Sequence, residues 1–240
     1  MIEIFIYLSL GACTGLLAGM FGIGGGSILV PSLIFIFYGM GFEDSIIVLM
    51  AIGTSLASIF FSAISSALSH HNKSSVEWSL VMPLSVGMIV GAVIGAGYAA
   101  TLSKKDKGFI SLAQFIVPAH GSWIGFLSSI IGIGGGSFTT PLMIAGGYNI
   151  RQGIGTAAAC GVPIAAAGAI GYMYYGQTVE VNLPSGAVGY VFWPAVISIS
   201  LASIFTAKLG ANISHSISEK GLKVSFGIFL ILVGILVVTN

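Results

Sequence analysis

Charged side chains are scarce in this chain of 240 residues: only 6% are Asp, Glu, Lys or Arg, against about 25% in ordinary soluble domains. Hydrophobic residues make up 56%, and this balance excludes a soluble globule. The formal net charge is +1 and no sustained basic run occurs. The sequence therefore has no electrostatic footprint for nucleic acid, and that class of partner is set aside.

Cysteines and clustered catalytic groups are also sparse. Cys13 and Cys160 lie within apolar segments, which predicts two small core residues rather than a disulfide framework. No spacing of His, Cys and acidic residues is typical of a metal site, and no nucleophile accompanies a base and an orienting partner. We therefore expect no metal or cofactor, and an enzyme is the weakest functional alternative.

Long apolar segments, by contrast, recur from end to end with short polar breaks between them. About 20 apolar residues in a helix span the roughly 30 Å of hydrocarbon in a bilayer. The composition thus predicts an all-α membrane protein with about seven full crossings and two broken segments. The predicted helices are Ile4 to Phe21, Ser27 to Met40, Ser45 to Leu68, Leu80 to Leu102, Phe109 to Ile131, Ser137 to Gly147, Ile154 to Tyr175, Gly186 to Leu209 and Leu222 to Val238.

An internal repeat organises these segments. The sequence Gly-Ile-Gly-Gly-Gly-Ser occurs at Gly22 to Ser27 and again at Gly132 to Ser137, and Pro31 and Pro141 follow four residues later. A duplicated unit predicts two related halves, residues 1–107 and 108–240, within one membrane domain. Further pairs in the same order are Ile52-Gly53-Thr54 with Ile154-Gly155-Thr156, Val76-Glu77 with Val179-Glu180, and Pro83 with Pro194.

Each glycine cluster separates a long apolar segment from a short one, Ser27 to Met40 or Ser137 to Gly147. The short segments predict broken or re-entrant helices at the start of each half, with Pro31 and Pro141 as kinks that stabilise the hairpins. Non-helical backbone survives at membrane depth only where it is buried in protein or lines a polar cavity. The two turns therefore predict the position of a central cavity.

Two helix N-termini directed at one cavity favour an anion, because each presents unpaired N–H groups and about half a positive charge. No apolar segment carries Lys or Arg near its middle. The alternative to a binding role is close helix packing for the glycines, and a hydrogen bond back to the residue's own helix for the hydroxyls. The predicted substrate-binding residues are Gly24, Gly25, Gly26, Ser27, Thr54, Ser55, Gly134, Gly135, Gly136, Ser137, Thr139, Thr140 and Thr156.

Polar residues near the helix ends have simpler interpretations. His70 and His71 end a predicted helix beside Lys73, where interfacial anchoring is favoured over proton relay. Glu77 and Glu180 precede predicted helices and are interpreted as caps, since a carboxylate near a helix start is favourable.

The repeated glycine turn with its proline, together with Gly53-Thr54 and Gly155-Thr156, resembles the TauE/SafE family of small permeases over nearly the whole chain. The resemblance implies export of sulfite or carriage of organosulfonates, by two four-helix halves in inverted orientation. The helix expected to close the first half, after Lys104, is missing from this sequence. Without it, Lys73 lies alone on one face and the other basic residues share the cytoplasmic face: Lys104, Lys105, Lys107, Arg151, Lys208, Lys220 and Lys223.

These observations together predict a secondary transporter of a small anion, such as sulfite or an organosulfonate, in the bacterial inner membrane. The glycine turns lack the Gly-Lys-Ser/Thr ending of a nucleotide loop, so ATP is not expected. A passive anion channel and a non-transporting membrane subunit of a larger complex are the alternatives. The lipid bilayer and a small anion are the expected partners, and association into homo-oligomers is left open.

Overall fold

The computed structural model describes residues 2–101, 121–178 and 183–239, and these are almost entirely helical. A two-residue antiparallel hairpin, β1 (Ala187–Val188) with β2 (Val191–Phe192), is the exception, with Ala187 opposite Phe192. The helices within the described ranges are α1 (Ile2–Phe21), α2 (Gly26–Gly39), α3 (Ile47–His71), α4 (Trp78–Thr101), α5 (Gly121–Ile131), α6 (Gly136–Ala145), α7 (Ile150–Gly176), α8 (Trp193–Ser216) and α9 (Glu219–Thr239).

Five of these helices, α1, α3, α4, α7 and α8, are long and apolar enough to cross a membrane. The predicted multi-pass helical architecture is therefore confirmed. The predicted helix from Phe109 to Ile131 is described only from Gly121 onward, as α5. The cluster of Lys104, Lys105 and Lys107, the proposed missing helix and Glu180 lie outside the described residues.

The predicted helix from Gly186 to Leu209 is wrong at both ends. Gly186 and Gly189 adopt left-handed backbone conformations, with φ of 89° and 55°; Gly186 precedes the hairpin and Gly189 lies in its turn. Pro194 then occupies the first turn of α8, where its fixed φ favours a helix start and its missing N–H is not needed. The apolar pattern alone did not reveal this hairpin.

Two pairs of helices form the outer parts of the molecule. α1 packs parallel to α8, because Gly11 lies against Ile199 near one end and Gly19 against Ala207 near the other. Cys13 lies on the opposite side of α1 and is exposed, so the prediction that it is a core residue is wrong. Cys160, in α7, is buried as predicted.

The second outer pair repeats the first with the halves exchanged. In α5, Gly125 lies directly against Met88 of α4, just as Gly15 of α1 lies against Ser203 of α8. Each outer pair therefore joins the two halves: α1 of the first half packs on α8 of the second, and α5 of the second half packs on α4 of the first. Between the pairs lie α3 and α7, whose side chains Leu56 and Ile164 are fully buried.

The two halves are inverted relative to each other. α3 and α7 correspond in the repeat, yet they run antiparallel. A methyl group on Gly53, near the start of α3, would lie 3.0 Å from Cβ of Tyr172, near the end of α7. Likewise a methyl group on Gly155, near the start of α7, would lie 3.2 Å from Cβ of His70. We name the two ends of the bundle the His70 face and the Tyr172 face.

Inversion changes the predicted distribution of charge. Lys73 and Arg151 both lie close enough to His215 to act on it electrostatically, so all three share the His70 face. The prediction that Lys73 lies alone, opposite Arg151, is therefore wrong. That prediction assumed that the two halves run in the same direction. Inversion instead places the start of α7, with Arg151, beside the end of α3. The short link from α8 to α9 brings Lys220 to the same face.

Candidate functional site

The two glycine turns have the same backbone conformation. Gly25 precedes α2 with φ of 75° and ψ of −1°, and Gly135 precedes α6 with φ of 74° and ψ of −15°. Both values lie in the left-handed region, which costs a side chain with a Cβ about 1–2 kcal/mol. Glycine is therefore needed at these two positions for conformational reasons alone.

The turns meet each other at the centre of the molecule. A methyl group on Gly24 would lie 3.3 Å from Cα of Gly134. One on Gly26 would overlap the carbonyl oxygen of Gly132, and one on Gly136 would overlap that of Gly22. Close packing between the halves thus accounts for the absence of side chains at Gly26 and Gly136.

The helices that follow the turns begin without side-chain caps. Neither Gly25 nor Gly135 can supply one, and neither α2 nor α6 receives a capping hydrogen bond from a side chain. Within the described residues, no acceptor is recorded for the N–H groups of Gly26, Ser27 and Gly136. Each start therefore keeps the positive end of its helix dipole uncompensated by a side chain.

Two hydroxyl groups near these helix starts are buried without a recorded partner. Ser27 is 6% exposed and Thr140 is fully buried, and neither side-chain oxygen has a hydrogen bond in the described structure. Ser137, the counterpart of Ser27, is half-buried. Buried hydroxyls usually find a partner, so Ser27 and Thr140 are unsatisfied polar groups of this region. A third is Ser128 of α5, whose buried hydroxyl lies beside Gly135.

Two other predicted site residues hold the turns in place. Ser55 donates a hydrogen bond across the halves to the carbonyl oxygen of Gly132, at 3.1 Å. Thr139 donates to the carbonyl oxygen of Gly135, at 3.0 Å, and so bonds back to the start of its own helix. Both side chains are buried.

Thr54 and Thr156 are fully buried and have matching roles as loop anchors. The Thr54 hydroxyl oxygen accepts a hydrogen bond from the backbone N–H of Phe192, and that of Thr156 accepts one from Glu77, each at 3.0 Å. Each threonine therefore anchors a loop of the other half: Thr54 holds the loop that leads into α8, and Thr156 holds the loop that leads into α4. The sequence did not predict this use of the repeat.

These anchors also correct the alignment of the repeat. The counterpart of Glu77 is Phe192, because the two precede α4 and α8 respectively and bind equivalent threonines. The sequence pairing of Pro83 with Pro194 is therefore wrong: Pro194 lies in the first turn of α8, whereas Pro83 lies inside α4. The hairpin lengthens the second link and shifts the register.

A narrow space of about 180 Å³ adjoins the glycine turns, and it has no room for a water molecule in this conformation. It lies on the side of the turns toward the His70 face. On the other side, a methyl group on Gly24 or Gly134 would lie about 3 Å from Cγ2 of Ile59, which fills the corresponding position. The lining residues are Ala18, Gly22, Gly24, Ala63, Ser66, Gly134, Ala158 and Gly161.

Pro31 and Pro141 lie inside α2 and α6 at equivalent positions and face outward. Each lacks the N–H that would bond to the carbonyl oxygen four residues earlier, so the carbonyls of Ser27 and Ser137 lose their helical donors. The kinks expected at the prolines thus fall in the first two turns of each short helix.

The sequence did not identify one polar cluster on the His70 face. His70 is fully buried, and its Nδ1 lies 3.2 Å from Nε2 of His215, which is 145 residues away in the chain. No local spacing could have joined two side chains so far apart. The neighbouring His71 instead accepts a hydrogen bond from the indole of Trp78, at 3.0 Å, close to the interfacial role predicted for it.

Five apolar helices of membrane-spanning length, in two inverted halves that meet at their glycine turns, define a multi-pass membrane protein of the transporter class. The family model described as sulfite exporter TauE/SafE matches residues 7–117 and again residues 107–237. The chain belongs to the TauE/SafE family. No solved structure matches it significantly.

Relatives with similar sequences are described as transporters. A probable membrane transporter protein of Haemophilus influenzae is 36% identical, and the match covers 97% of this chain and 97% of the relative. One from Methanocaldococcus jannaschii is 26% identical over 96% of this chain and 93% of the relative. A third, from Bacillus subtilis, is 26% identical over 58% of this chain and 66% of its own length.

Proposed function

We propose that this protein is a secondary transporter of a small anion and that the two glycine turns, which enter the membrane as re-entrant hairpins, form its binding site. The observation that carries the proposal is the pair of uncapped helix starts, from inverted halves, that meet at one buried point. Main-chain N–H groups and helix dipoles bind anions without a lysine.

The carbonyl groups of the turns explain how the site is closed. The carbonyl oxygen of Gly132 lies against the start of α2, and that of Gly22 lies against the start of α6. Each oxygen lies where a methyl group on the first residue of the helix would stand, so the backbone of one half packs directly on the helix start of the other. Separation of the halves would withdraw both oxygens together and expose both helix starts, which is the motion that alternating access requires.

The central space is too narrow for water in this conformation, so the described residues form no open pore at the glycine turns, and flux assays separate a carrier from a channel. A channel requires a continuous pore in at least one conformation and shows neither saturation nor counterflow. The family's description names sulfite exporters, so sulfite and the organosulfonates are the first substrates to test. The His70 face, with Lys73, Arg151 and Lys220, is the cytoplasmic face of a bacterial inner membrane under the positive-inside rule.

The test uses Ser27, which has a buried and unpartnered hydroxyl beside one helix start. Ser27→Ala removes an unsatisfied polar group, so the protein should stay as stable as the wild type or become more stable. If the hydroxyl binds the anion, the KM for uptake into proteoliposomes should rise about tenfold, the equivalent of about 1.4 kcal/mol. Labelled sulfite, sulfate and taurine are the probes.

Ser200→Ala is the matched control. Ser200 is also 6% exposed and also has no recorded partner, but it lies in α8 away from the turns. Its KM should equal that of the wild type. Equal KM values for all three proteins would remove Ser27 from the site. A wild-type protein that moves none of the probes, and shows no counterflow, would leave the non-transporting subunit as the better explanation.

A further inference from the structure

The histidine pair of the His70 face lies one helical turn from the central space. Ser66 lines that space, and His70 follows it on the same side of α3, four residues later. Ala18 and Gly19 make the corresponding contacts on α1: Ser66 donates to the carbonyl oxygen of Ala18, at 3.3 Å, and His70 bonds to that of Gly19. The pair is thus part of the wall that separates the space from the His70 face.

The hydrogen bonds define where the protons lie in the neutral pair. Nε2 of His70 is 2.9 Å from the carbonyl oxygen of Gly19, and a carbonyl can only accept, so Nε2 carries a hydrogen. Nδ1 of neutral His70 must then accept, and Nε2 of His215 donates to it at 3.2 Å. The Ser75 hydroxyl lies 3.4 Å from the same nitrogen of His215.

An added proton has a defined path through this pair. His70 is fully buried, whereas His215 is half-buried at the end of α8. A proton that binds Nδ1 of His215 allows the hydrogen on Nε2 to move to Nδ1 of His70. The result is a positively charged His70 ring with both nitrogens bonded, one helical turn from the central space.

At the Tyr172 face the position that corresponds to His70 is a tyrosine. Tyr172 corresponds to His70, and its hydroxyl donates to the carbonyl oxygen of Ser129, at 3.2 Å, as His70 bonds to Gly19. Tyrosine does not change charge between about pH 5 and 8, whereas histidine does. Protonation can therefore alter the wall on the His70 face without altering its counterpart on the Tyr172 face.

We propose that His70 and His215 form one proton-binding site that couples proton movement to anion transport. The inference rests on the proposed transport function and names its coupling ion. The other charged groups that act on the pair are Lys73, in the loop after α3, and Arg151, at the start of α7. Both oppose a further positive charge, so an anion at the helix starts is what makes protonation favourable, and binding of the two is reciprocal.

The experiment measures proton and anion movement together in proteoliposomes that contain a pH-sensitive dye. Methanesulfonate is the probe, because it does not itself take up protons in the assay range. Wild-type protein should move protons with the anion, and uptake should rise at least about fivefold between about pH 8 and about pH 5.5. His70→Gln keeps a donor for Gly19 but cannot bind the proton, and His215→Gln is the second variant in case the buried substitution disturbs folding.

Both variants should retain anion uptake and lose the pH dependence and the accompanying proton movement. His71→Gln is the matched control, since His71 is exposed and bonded to Trp78, and it should behave like the wild type. Proton movement that is unchanged in both His70→Gln and His215→Gln would overturn the coupling proposal and leave the transport proposal intact. A wild-type protein that takes up no anion would overturn both.

Discussion

A substitution at Thr54 can distinguish the anchoring role seen in the structure from the substrate-binding role predicted from the sequence. The sequence places Thr54 among the substrate-binding hydroxyls, whereas the structure shows its oxygen accepting the N–H of Phe192. Thr54→Val keeps the volume and removes the acceptor. Because Thr54 is fully buried and Phe192 is 6% exposed, water cannot replace the lost bond. An unpaired buried N–H costs about 1–3 kcal/mol.

The expected loss can be measured as an apparent melting temperature in nanodiscs. At about 2–4 °C per kcal/mol for a chain of this size, a cost of about 2 kcal/mol lowers it by about 4–8 °C. Thr54→Ser keeps the acceptor and loses one buried methyl group, worth about 1 kcal/mol, so it should lower the melting temperature less. Thr156→Val should also cost less, since Glu77 is half-buried and water can reach its N–H.

Two outcomes would refute this reasoning. If Thr54→Val melts at the wild-type temperature, or above Thr54→Ser, the hydroxyl does not stabilise the link to α8. If it melts normally and loses anion uptake, Thr54 binds substrate, as the sequence predicted. Loss of uptake in proportion to the loss of folded protein would agree with the anchoring role.

Two further predictions follow from the interlocked, inverted halves. Gly26→Ala places a methyl group on the carbonyl oxygen of Gly132 and should lower both stability and anion flux. Gly39→Ala is the control, because a methyl group there has nothing within 4 Å, and it should leave both unchanged. Equal effects of the two substitutions would show that the turns do not pack as described. In a variant without Cys13 and Cys160, Lys73→Cys and Lys220→Cys should react with a membrane-impermeant maleimide from one side of the membrane, and Asp44→Cys from the other. Labelling of Lys73→Cys and Lys220→Cys from opposite sides would contradict the inverted arrangement.

The helices and the glycine turns could be predicted because their causes are local. Apolar length predicts a membrane helix, and a cluster of glycines before a proline-containing segment predicts a break. The hairpin before α8 was missed because Ala187 to Phe192 is short and as apolar as the helix after it. Gly186 and Gly189 were the available signal, since each can adopt the positive φ that ends a helical run.

The direction of the second half was missed for a different reason. Charge counting depends on which loops share a face, and the loop with Lys73 was placed opposite Arg151 in that count, whereas both lie close to His215. The anchors from Thr54 to Phe192 and from Thr156 to Glu77 determine the direction, and both join residues from different halves. Contacts of that kind have no signature in local sequence, and neither has the bond between His70 and His215.

An inverted repeat makes the two faces of a transporter equivalent in packing, so any preference between them must come from residues that differ between the halves. Near the centre these are Ile59, which touches both turns, and Gly161, its counterpart, which lines the narrow space instead. At the ends they are His70 and Tyr172. Both differences favour the same side: the space and the titratable pair lie toward the His70 face, and the bulky side chain lies toward the Tyr172 face. Gly161→Ile gives the second half the side chain that the first half has at Ile59. It should therefore fill the narrow space and slow opening toward the His70 face more than opening toward the Tyr172 face.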